Sequence, residues 1–86
     1  MEYRIGQVVR SIAGRENGKA FIVVKTEGEY VYISDGATRK LEAPKKKKLK
    51  HIQGSYNVSE EIAACIESGT AENYMLRRFL NSEGVE

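Results

Sequence analysis

Ala13-Gly14-Arg15-Glu16-Asn17-Gly18-Lys19 is the stretch that decides how this chain folds. Gly6-Gln7-Val8-Val9 precedes it and Phe21-Ile22-Val23-Val24 follows, giving the order strand, glycine-bounded basic loop, strand. Two glycines four residues apart let the backbone reverse tightly, because glycine reaches positive φ without a Cβ clash. Arg15 and Lys19 then project long cationic side chains from that reversal. The first predicted strand runs from Gly6 to Ile12, with Val8 and Ile12 on one face beside Arg10. The second runs from Lys19 to Thr26 and is the strongest, since its apolar run is bulky and β-branched.

Downstream, Glu27-Gly28-Glu29 reads as a turn. In Tyr30-Val31-Tyr32-Ile33 the alternation directs Val31 and Ile33 inward and puts the two tyrosines on the other face. Asp35-Gly36 is a hairpin signal, with a short strand expected from Thr38 to Glu42. Pro44 ends that strand, and Lys48 to Ile52 supplies a last one. Leu49 and Ile52 are three apart, which does not suit a plain strand and points to a bulge or a helical turn near His51. Five short strands joined by tight turns argue for a mainly β fold, a small closed barrel of the SH3-like kind. Closure removes strand edges that would otherwise invite aggregation.

The character changes after Gly54, which divides the chain into a barrel over residues 1–54 and a helical appendage over 55–86. Ser59 is placed to cap a helix running to about Ser68, with Glu60 and Glu61 near its positive end. Gly69 stops it, and Thr70 is placed to cap a second helix reaching about Asn81. Met75, Leu76, Phe79 and Leu80 form an apolar stripe on that helix. Helices this short are marginal alone, so they must pack on each other, on the barrel or on a partner.

The 86 residues carry a net charge of only +2, but the distribution is uneven. Residues 1–54 hold twelve of the fourteen Lys and Arg against six of the twelve Asp and Glu, a balance of +6. The remaining residues hold two against six, a balance of −4. A basic body with an acidic tail favours a polyanionic partner for the body. The single cysteine, Cys65, fits a reducing cytosol, and no apolar run reaches the length of a spanning helix or a signal-peptide core. A cytoplasmic location without membrane contact is expected.

Gly6-Gln7-Val8-Val9, Gly14, Gly18 and Ile22-Val23-Val24 together resemble a KOW motif. KOW motifs occur in SH3-like barrels of ribosomal proteins and of transcription factors that bridge polymerase to translation. Ile33-Ser34-Asp35-Gly36 and Lys47-Lys48-Leu49-Lys50-His51-Ile52 extend the similarity to small bacterial KOW-domain proteins related to archaeal and eukaryotic large-subunit ribosomal proteins. The likeness covers about residues 3–53. It implies RNA binding, with the Gly14–Gly18 loop against the sugar-phosphate backbone, without fixing which RNA. Structured RNA, ribosomal above all, is the expected partner. The acidic tail lies outside it.

Phosphates need cations and donors within reach. The candidates are Arg10, Gly14, Arg15, Asn17, Gly18 and Lys19 in and beside the loop, Arg39 and Lys40 after the Asp-Gly turn, and Lys45, Lys46, Lys47, Lys48 and Lys50. Arg15 suits a bidentate phosphate contact and Lys19 a point charge. The glycine N–H groups are further expected donors. Such contacts position RNA without reading sequence, which leaves specificity to RNA shape or to stacking on Tyr30 or Tyr32. Simpler readings stand beside these: a hairpin that needs glycine, a solvated and mobile lysine segment, and tyrosines that pack at a rim.

No enzyme is expected. One Cys and one His offer no metal-ligand spacing, nothing orients Cys65 and His51 as a nucleophilic pair, and the glycine loop lacks the lysine-serine pair of a phosphate-binding loop. No cofactor, metal or small-molecule substrate is expected either. The alternative function is a protein-interaction module that uses the barrel and the apolar stripe of the last helix. In a third arrangement the acidic tail folds over the basic face and weakens RNA binding.

Overall fold

The computed structural model describes residues 2–82. The last four residues of the expected 55–86 segment therefore lie outside the described residues. Five antiparallel strands are present: β1 (Gln7–Ser11), β2 (Ala20–Glu27), β3 (Tyr30–Ser34), β4 (Lys45–Lys48) and β5 (Ile52–Val58). Two helices follow, α1 (Glu60–Ser68) and α2 (Asn73–Ser82). The strands form one sheet in the order β4-β3-β2-β1-β5. β4 and β5 are its two edges and share no ladder, so the sheet is open where a closed barrel was expected.

Both faces of the sheet are buried. On one face Val9, Phe21, Val23, Val31, Ile33 and Ile52 form a buried cluster, with Tyr3 and Leu49 against it. On the other, Val8, Ala20 and Ile22 pack beneath Ile62 of α1 and Leu76 and Leu80 of α2. That explains the uninterrupted run Phe21-Ile22-Val23-Val24, whose alternate residues serve opposite cores. Val31 and Ile33 face inward as their alternation predicts. Each buried Leu or Ile of the helices contributes about 2 kcal/mol, enough to hold helices too short to stand alone.

Several expected boundaries move. Ile12 lies beyond the end of β1 and is 47% exposed, so it does not share the Val8 core. Residues 38–42 form bends and turns, not a strand. The fourth strand is the lysine run itself, paired antiparallel with β3, which replaces the mobile segment read from its composition. Leu49–His51 is a single 3-10 turn, the helical option expected there. β5 pairs with β1 up to Gln7↔Val58 and so crosses the expected division at residue 54.

α1 begins and ends as its sequence signals. The Ser59 side chain accepts from the Ile62 N–H at 3.1 Å, and Gly69 takes the left-handed conformation at the C-cap. Thr70 serves that same C-cap, its N–H donating to the Cys65 carbonyl at 2.8 Å, and α2 starts only at Asn73.

Candidate nucleic-acid interface

The 13–19 segment is a closed, internally bonded loop. Residues 14–16 make a 3-10 turn, and Gly14 and Gly18 adopt φ of +78° and +89°. The Gly18 N–H donates to the Ser11 carbonyl at 2.7 Å and the Asn17 N–H to the Gly14 carbonyl at 3.2 Å. The Gly18 N–H, one of the glycine donors expected to meet phosphate, is thus engaged by β1.

Three cations brace it from outside. Arg10 Nη1 donates to the Gly18 carbonyl at 2.6 Å. Lys47 Nζ donates to the Ala13 carbonyl at 3.0 Å from a side chain that is only 9% exposed. Arg39 Nε pairs with the carboxylate of Glu16, a residue buried in the loop. Arg10, Arg39 and Lys47 therefore hold the loop in shape, a supporting role that their sequence positions did not announce.

Asp35 shapes the neighbouring turn. Its carboxylate accepts from the N–H groups of Ala37 and Arg39 at 2.9 and 2.8 Å and from the Thr38 hydroxyl at 2.9 Å. Burial pushes its carboxyl up, but these bonds outweigh burial and leave it below the ordinary aspartate value. α2 grips the same turn. Arg77 Nη1 donates to the Gly36 carbonyl at 2.6 Å, and Asn73 Oδ1 accepts from the Leu41 N–H at 2.8 Å.

The lysine run divides in two. Lys47 and Lys45 stand opposite Val31 and Ile33, while Lys46 and Lys48 stand opposite Tyr32 and Tyr30. Directly opposed residues share a face, so Lys45 and Lys47 project on the side of the Val31 core and the other two onto the tyrosines. Lys46 Nζ lies 4.5 Å from the Tyr30 ring centroid and 3.6 Å from the Glu27 carboxylate. One contiguous four-lysine patch does not exist.

What remains around the loop is a set of exposed cations. Arg15, Lys19 and Lys40 are exposed, Lys45 is half-buried beside the end of β3, and Lys50 is exposed in the 3-10 turn next to His51. The His51 carbonyl accepts from the Ile12 N–H at 2.9 Å, which ties that turn to the start of the loop. Lys19 borders a cleft shared with Asp35, Ala37 and Arg77. Among the described residues none of these five cations has a carboxylate oxygen within 4.0 Å. Lys48 sits elsewhere, toward the β2–β3 turn, where the Leu49 N–H donates to the Glu29 carbonyl.

Sequence reasoning missed Glu16 and Lys47 as loop supports, and it left the tyrosine face without its lysine cover. The signal for Glu16 was a lone acid inside a cationic, glycine-bounded loop. Of the helical stripe, Leu76 and Leu80 are buried against the sheet. Tyr74, Met75 and Phe79 line a groove with Arg78 and Ile62 between the helices. Among the described residues no group of three His, Cys, Asp or Glu side chains could hold a metal ion, and no helix is long and apolar enough to cross a membrane. No protein-family model matches the chain, and no curated protein matches it significantly.

Proposed function

We propose that this chain is a non-catalytic, cytoplasmic RNA-binding protein of the KOW kind. It sets the loop end of its sheet against the backbone of structured, ribosomal RNA. One observation carries the reading: a braced loop surrounded by cations that form no ion pair within 4.0 Å with a carboxylate of the described residues. Arg15 and Lys19 on the loop, with Lys40, Lys45 and Lys50 around it, make the phosphate contacts. A loop held by its own hydrogen bonds loses little backbone entropy on binding, so the ordering cost falls mainly on the cationic side chains.

Five or so neutralised phosphates predict a salt slope of about −4 in a plot of log K against log salt. Fluorescence anisotropy with a labelled ribosomal-RNA hairpin measures it. Replacing Arg15 and Lys19 together by Ala makes the slope shallower by about 1.4 and weakens binding to all hairpin sequences alike. Unchanged affinity and slope in that variant would refute the assignment.

A protein-interaction role draws on the groove between the helices, where Tyr74 is 45% exposed. It is the weaker reading, because the two leucines of the stripe are already buried in the core.

A further inference from the structure

The sheet surface formed by β2, β3 and β4 beyond the helices carries a cluster that the loop contacts do not use. Tyr30 and Tyr32, two apart on β3, project to the same side and are half-buried. Lys46 Nζ sits over both rings, 4.5 Å from the Tyr30 centroid and 5.8 Å from that of Tyr32. Lys25 Nζ lies 5.2 Å from the Tyr32 ring, and Lys48 stands opposite Tyr30. Glu27 tempers them: its carboxylate accepts from the Tyr32 hydroxyl at 3.0 Å and pairs with Lys46.

We propose that Tyr30 and Tyr32 form a stacking subsite for two consecutive bases of single-stranded RNA, with Lys25, Lys46 and Lys48 contacting its phosphates. The proposal rests on the RNA-binding reading above and adds a second contact to it. Spacing selects the strand. Residues two apart on a β-strand are about 6.7 Å apart, twice the roughly 3.4 Å rise per nucleotide of a helical strand. The two rings therefore match splayed bases of an extended strand, not the stacked bases of a duplex.

Lys46 is the cover of this subsite. An exposed ammonium over an aromatic ring is held weakly, and a stacked base is held more strongly. As a base enters, the Lys46 amine moves off the rings to a phosphate, and its long flexible stem allows that swing. Three lysines beside Glu27 give the face a positive balance that complements a phosphate backbone and disfavours a neutral or basic peptide surface.

The test uses the full chain and a short single-stranded RNA carrying 2-aminopurine, alongside the hairpin used for the loop. Stacking quenches the probe. Tyr30→Leu and Tyr32→Leu each weaken single-strand binding roughly tenfold and remove the quench, while hairpin binding persists and reports an intact fold. Tyr32→Phe keeps the ring and keeps the quench. Glu27→Gln frees Lys46 and tightens single-strand binding. Single-strand binding that is unquenched and indifferent to both leucine variants overturns the subsite while leaving the loop reading intact. If the hairpin also fails to bind the wild-type chain, the RNA-binding reading falls first. A proline-rich peptide that binds these rings while the oligonucleotide does not would overturn the subsite in favour of protein docking.

Discussion

Lys47 donates to the Ala13 carbonyl from a nearly buried position, whereas Lys48, one residue on, faces solvent opposite Tyr30. Neighbours in sequence thus differ in role because a strand turns successive side chains to opposite faces. Lys47→Met keeps the apolar stem but removes the bond that braces the loop. It lowers stability by about 1–2 kcal/mol, the scale of a charge-assisted hydrogen bond at a buried site. Lys48→Met changes stability by less than about 0.5 kcal/mol. Urea denaturation of the two variants compares them directly, and equal midpoints would contradict the division of the run. Glu16 belongs to the same argument. Its carboxylate draws Arg39 onto the loop, so a residue named as a phosphate candidate also sets the shape of the candidate surface.

At the level of elements, legibility followed how far each segment obeyed its own local rules. β1, β2 and β3 were readable because their apolar residues carry the pattern, and α1 because Ser59 and Gly69 mark its ends. The two edge strands were not. Lysine is depleted in strands generally, so Lys45–Lys48 carried no strand signal, yet lysine is the residue that protects an exposed edge from pairing. β5 reads Gln53-Gly54-Ser55-Tyr56-Asn57, a loop-like composition, and its glycine is needed because the Tyr3 ring lies where a Cβ would be. The loop was legible as a candidate site from its glycines and cations. Its bracing was not, because Arg10, Arg39 and Lys47 come from three separate segments. The Asp-Gly turn gave a true turn but the wrong partner, since α2 rather than a strand docks there. Gly36 has φ of +78°, and a Cβ on it would run into the Asn73 carbonyl. Gly36→Ala therefore lowers the melting temperature by at least about 8 °C, combining backbone strain with loss of α2 docking. Gly28, also at positive φ but in open space, is the comparison. Gly28→Ala shows the strain alone, and equal losses would contradict the docking of α2 on the turn.

Over the whole molecule, the helical segment is part of the fold, not a loose acidic lid. Ile62, Leu76 and Leu80 share one core with Val8, Ala20 and Ile22, and β5 carries the sheet past residue 54. Cutting the chain there removes a core face together with half an edge strand, so RNA contacts are best dissected by surface substitutions. The acidic charge of α1 is partly engaged locally, with Glu60 paired to Arg4 at 3.1 Å. The basic charge is shared between the loop end and the tyrosine face, where Lys25, Lys46 and Lys48 lie. Contact of the loop end with ribosomal RNA is read out by crosslinking in cells followed by sequencing of the attached RNA. The control neutralises Arg15, Lys19, Lys45 and Lys50 and leaves the bracing residues Arg10, Arg39 and Lys47 in place. The wild type is expected to give a focused ribosomal-RNA footprint that is lost in the control. A footprint that persists in the control, or a wild type that recovers only diffuse RNA, would contradict it.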